Sequence, residues 1–179
     1  TWGTRADFRH FVPAIWDQLT RGQLVTNTQI IYGKLPYADY TEWPESERLA
    51  LQRVTEAWFD VSLGDSPHQL TDIIESAGLS GLHVEPLIER LEARTRDPHD
   101  PQAAELLAAL CAGLNGMGRI EGAWWTDPEQ RLSRWLIAHA FARLEAAVLA
   151  LPEHPDATYW LDMIPVWAAY AEAGALPTS

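Results

Sequence analysis

The chain is 179 residues long, 47% hydrophobic and 21% charged, with a mean hydropathy of −0.18. That composition suits one folded domain with a real core and excludes disorder, while eleven glycines and twelve prolines without a period exclude collagen-like repeats. Thirteen basic against 25 acidic side chains leave a net charge of −12, which supplies no basic stripe for nucleic acid and repels an anionic membrane surface.

Prolines at helix starts and glycines at helix ends punctuate the chain. A first helix is expected over about Asp7–Arg21, with Phe8, Phe11, Ile15, Trp16 and Leu19 inward, Pro13 as a possible bend and Gly22 as the stop. Leu24–Tyr32 carries the one alternating pattern, which reads as a strand less readily than as a short helix or loop. Pro44–Leu63 forms an amphipathic helix with Ala50, Val54, Ala57, Trp58 and Val61 on its apolar stripe and Gly64 as terminator. Pro67–Ala77 follows, burying Leu70, Ile73 and Ile74 and ending at Gly78. Val84–Thr95 turns Leu87, Ile88 and Leu91 inward, and Pro101–Leu114 is apolar on most sides, as a sandwiched helix should be. Ser66, Asp100 and Asp127 stand one residue before prolines and offer N-cap oxygens. Pro128–Leu151 shows two apolar faces, which suggests a central position, and about Ala157–Ala173 places Trp160, Ile164, Trp167 and Ala171 together around a kink at Pro165.

The expected fold is therefore all-α: a single domain of about seven helices in an irregular antiparallel bundle. Helix pairs of roughly 35–45 residues also fit HEAT-type stacking, although no repeated signature accompanies them. The longest apolar runs, such as Ala146–Leu151, fall far short of the roughly 20 residues that cross a bilayer. Residues 1–12 lack the layout of a signal peptide and Cys111 is unpaired in the sequence, which together predict a reducing cytoplasm.

Two loops attract attention. Gly113–Trp125 holds four glycines with Asn115, Arg119, Trp124 and Trp125. Its backbone N–H groups and Arg119 suit an anion or a partner, but it lacks the lysine of a P-loop and the third glycine of a dinucleotide fingerprint. A plain connection anchored by the tryptophans is the simpler reading. In Gly33–Trp43, Tyr37, Tyr40 and Trp43 either staple the loop to the helices beneath or form a recognition surface, with stapling the simpler reading.

Acid–base and metal chemistry find little support. His68, Asp72 and Glu75 share a helix without a zinc or di-iron motif, and His154 and Asp156 flank Pro155 as a turn. His139 reads as a core histidine and Cys111 as an inert buried thiol. No cofactor or metal is implied, and the balance leans away from an enzyme.

Acid concentrates in the middle: residues 1–34 hold four basic and two acidic groups, residues 35–110 five and fifteen, and residues 111–179 four and eight. Solvated helix faces explain this, as does a docking surface for a basic protein partner. The leading expectation is a protein-interaction module that binds and inhibits such a partner, in the manner of immunity proteins and antitoxins as a class. The alternative is a small helical enzyme or ligand binder with its pocket among the Gly113–Trp125 loop, the Gly33–Trp43 loop and His139. Self-association through exposed apolar surface is the third.

Overall fold

The computed structural model describes residues 3–24, 26–65, 67–113 and 131–175, and all the regular structure among them is helical. Helix α1 spans Arg5–Thr20 and opens on a capping box, in which the Asp7 N–H donates to Thr4 Oγ1 (3.2 Å) and the Thr4 N–H donates to the Asp7 carboxylate (2.8 Å). It closes on Gly22, whose φ of +66° needs no Cβ, with Gly22 and Gln23 N–H groups donating back to Leu19 and Gln18. Pro13 sits inside α1 without ending it. Phe11, expected inward, is 55% exposed.

The ambiguous segment after α1 is helical, not extended. Asn27 caps α2 (Thr28–Tyr32) by accepting the Gln29 N–H at 2.7 Å. A short α3 (Lys34–Tyr37) and a 3₁₀ turn (Tyr40–Glu42) lead into α4 (Glu45–Asp65). Here the buried stripe is Leu51, Thr55, Phe59 and Ser62, one position round from the expected Ala50, Val54, Ala57, Trp58 and Val61. The reason is a polar contact: the Tyr32 hydroxyl and Thr55 Oγ1 share a buried hydrogen bond of 2.8 Å, so two hydroxyl-bearing residues, Thr55 and Ser62, occupy core positions. Val61 is left 65% exposed.

Helix α5 (Pro67–Ser80) continues through the expected stop at Gly78 and ends at Gly81 (φ +79°), where the Gly81 and Leu82 N–H groups donate to the carbonyls of Gly78 and Ala77. Then follow α6 (Glu85–Arg94) and α7 (Pro101–Ala112). Asp100 caps α7, accepting from the N–H groups of Gln102 and Ala103, with Pro101 at the first helical position. Next, α8 (Arg131–Trp135) passes through a π-helical turn (Leu136–Ala140) into α9 (Phe141–Ala150), and the extra residue per turn explains why this stretch shows two apolar faces. The last helix, α10, spans Ala157–Ala175 and contains Pro165.

Helix α5 packs on α2, α3, α4 and α7, while α7 also meets α9, the π turn and α10. The spine is therefore α5 and α7, with residues 131–150 against its C-terminal side. Buried residues from Phe8 in α1 to Ala171 in α10 form one connected core. No helix of the described residues is long and apolar enough to cross a membrane.

The acidic middle is partly neutralised from both ends of the chain. Arg5 and Arg9 of α1 pair with Asp39 and Glu47, and Arg143 of α9 donates to the Glu92 carboxylate (3.0 Å) and carbonyl (2.9 Å). Arg90 bridges Glu56 and Asp60 within the middle itself.

Candidate functional site

The loop between α3 and α4 divides its aromatic residues between two roles. Tyr40 and Trp43 are buried; the Trp43 indole N–H donates to the Ala38 carbonyl at 2.9 Å and its ring meets Tyr40 edge-on at 5.9 Å. They staple the loop, as expected. Burial also raises the Tyr40 phenol pKa, against the opposing influence of Arg48. Tyr37 is 56% exposed, with the Arg5 guanidinium 5.4 Å and the Lys34 ammonium 5.6 Å from its ring centre.

Beside this loop, α1 and α4 leave an open groove of about 670 Å³. Its walls are mostly apolar, with Val12, Pro13, Trp16, Trp43, Leu51 and Val54 among them, and Arg9, His10 and Glu47 supply its polar groups. Arg9 grips Glu47 with two parallel hydrogen bonds, Nε to Oε2 at 2.7 Å and Nη2 to Oε1 at 2.6 Å, while its guanidinium lies 5.5 Å from the Trp43 ring centre. The hydrogen bond raises the Arg9 pKa and lowers that of Glu47, so both stay charged and mutually satisfied.

A second cavity, of about 270 Å³, lies between α7 and α10. Its α7 wall is Glu105, Ala108, Ala109 and Ala112, a stripe at helical spacing whose methyl side chains leave room above them. The opposite wall is Asp156, Tyr159, Trp160 and Trp167. Both tryptophans are buried, whereas Tyr159 is 57% exposed and meets Trp167 edge-on at 6.3 Å. His154 stacks on Trp160 at 4.4 Å, accepts the Asp156 N–H at Nδ1 (3.2 Å) and presents Nε2 to Glu105 at 3.5 Å. Among the described residues neither Glu105 nor Asp156 is paired with an arginine or lysine. The cavity is thus a partly exposed aromatic surface under two carboxylates.

Sequence reasoning missed this site. It grouped Trp160 and Trp167 on one helix face, and both are buried in the core, but it read His154 and Asp156 as a turn and Pro101–Leu114 as a sandwiched helix. A usable signal was present in the alanine stripe on α7 and in the acid that precedes an aromatic helix. Ala112 ends α7 on the cavity wall. Asn115, Arg119, Trp124 and Trp125 lie outside the described residues.

The remaining candidates separate. Cys111 is fully buried, and burial alone pushes its thiol pKa up to about 12, so it is protonated and unreactive at neutral pH. His139 is exposed on the π turn, not in the core, with its ring 6.2 Å from Trp135. An imidazole beside Cys111 would pull the thiol pKa down, and no such influence acts on it. Asp72 is exposed, while Glu75 is buried and accepts from Gln29 Nε2 at 3.3 Å. The side chain of His68 lies outside the described residues. No group of three or more His, Cys, Asp or Glu among the described residues is placed to hold a metal ion.

No protein-family model, no curated protein and no solved structure matches the chain. Its class is accordingly defined by its own architecture: an all-α protein with an acid-rimmed aromatic cavity at one helix pair and an apolar groove at another.

Proposed function

We propose that this protein is an interaction module for a basic protein partner, and that it seats a lysine or arginine side chain of that partner in the α7–α10 cavity. The single observation that carries the reading is the pairing of Glu105 and Asp156 with the aromatic surface of Tyr159, Trp160 and Trp167. A cation over aromatic rings gains about 0.5–2 kcal/mol, more as water is excluded. The carboxylates add attraction and steer encounter, helped by the net charge of −12. One side chain does not make a stable complex, and an interface of ordinary size needs apolar contact around it. Helix α10 supplies it, since Val166 and Tyr170 are exposed on the same side of the helix as Tyr159. Covering a basic surface in this way would inhibit a partner that works through that surface, as immunity proteins and antitoxins do.

The test uses peptides rich in arginine or lysine and a neutral control of equal length, followed by tryptophan fluorescence and calorimetry. Basic peptides should quench fluorescence saturably and lose affinity as salt rises. The double variant Glu105→Gln/Asp156→Asn, checked for fold by circular dichroism, should lose most of that binding, and Tyr159→Ala a smaller part. Equal affinity for the neutral peptide, or unchanged binding by the double variant, contradicts the reading.

A further inference from the structure

We infer that the groove between α1 and α4 is a separate binding site for an uncharged, largely apolar small molecule. It shares no residue with the α7–α10 cavity. Its volume of about 670 Å³ falls within the roughly 300–1,000 Å³ of small-molecule sites, and its mix of apolar wall and few polar groups is theirs too.

The groove exists because α4 is held in its observed rotation. With Thr55 bonded to Tyr32 and Leu51 and Phe59 turned inward, Ala50 and Val54 are left facing α1. The facing residues of α1 include Ala6 and Pro13. Small side chains on both helices leave a trough instead of an interdigitated contact. Trp16 and Trp43 lie beneath the trough, only 2% and 7% exposed, so its accessible surface comes from the small side chains and from the Arg9–Glu47 pair.

Charge selects against an ionic ligand. Arg9 and Glu47 satisfy each other with two hydrogen bonds at the groove, and Arg9 also engages Trp43. An anionic ligand must compete with Glu47 for the guanidinium, and a cationic one must compete with Arg9 for the carboxylate. A neutral molecule disturbs neither and avoids losing its own hydration.

N-phenyl-1-naphthylamine tests this directly, being apolar and uncharged. Its sulfonated relative 8-anilinonaphthalene-1-sulfonate keeps the rings and adds a negative charge. The neutral probe should bind saturably at one molecule per chain and raise the melting temperature, with the sulfonate at least about tenfold weaker. Ala50→Trp fills the trough from an exposed position and should abolish binding while the helical spectrum is kept. Ala6→Trp does the same from the other wall. Glu105→Gln should leave neutral-probe binding unchanged, so failure here is distinguishable from failure of the basic-partner reading. Binding that survives both tryptophan variants, or equal affinity for the sulfonate, overturns the inference. So does scattering that shows a dimer which Ala50→Trp dissociates, since a second copy would then be the occupant.

Discussion

The α1–α4 groove and the α7–α10 cavity are both spaces left by small side chains between helices, yet they handle charge in opposite ways. At the groove, Arg9 and Glu47 bind each other and the site presents no net charge from that pair. At the cavity, Glu105 and Asp156 line the same space as Tyr159, Trp160 and Trp167, and among the described residues neither carboxylate pairs with an arginine or lysine. Ligand charge therefore follows from whether a site's own ions are already matched, more than from the charge of the whole chain.

The largest effect on this contrast should come from the core residue that fixes α4. Phe59 is fully buried, and Phe59→Ala should cost about 3–5 kcal/mol in urea denaturation. Because it seats α4 and not α10, neutral-probe affinity should fall further than peptide affinity in the protein that remains folded. Equal losses at both sites would break the contrast.

A smaller effect is expected at the start of α7. Burial alone would raise the Asp100 pKa, but hydrogen bonds from Arg94 and from the Ala103 and Gln102 N–H groups outweigh it and hold it below the ordinary value. A carboxylate depressed in the folded state stabilises fully above its unfolded pKa of about 3.9 and loses that contribution as pH falls through the lower folded value. Asp100→Ala should thus cost about 1 kcal/mol at pH 7, with the difference from wild type shrinking in the acid range below about pH 4. A deficit that is constant down to pH 2 would contradict this.

The smallest effect sharpens the contrast most. Arg9 and Glu47 are each 42% exposed at the side chain, so Glu47→Gln should leave the urea midpoint almost unchanged. It leaves Arg9 without its counter-ion, and the sulfonated probe should then gain several-fold on the neutral one. No change in that ratio would show that the pair does not set ligand charge.

Much of the fold was legible because it rests on local chemistry. Asp100–Pro101 and Gly22 mark helix ends through caps and a positive φ, and the all-α reading follows from such marks. The face of α4 was not legible, since hydrophobic spacing assigns Thr55 and Ser62 outward and cannot know that Tyr32 waits for a hydroxyl. Gly78 and Gly81 differ only in backbone geometry, which composition does not reveal. Of the site residues, Tyr40 and Trp43 staple their loop as local aromatic spacing implies. Glu105 and Asp156 come to line one cavity through the packing of α7 against α10, a long-range pairing whose marks in the sequence are only the alanine stripe on α7 and the acid before an aromatic helix.

The most direct measurement titrates one sample of each protein with both the neutral naphthylamine and an arginine peptide. Wild type should bind both, with neither shifting the other's affinity. Ala50→Trp should lose only the naphthylamine, and Glu105→Gln/Asp156→Asn only the peptide. Loss of both ligands in either variant, or mutual displacement in wild type, would contradict two sites sorted by charge.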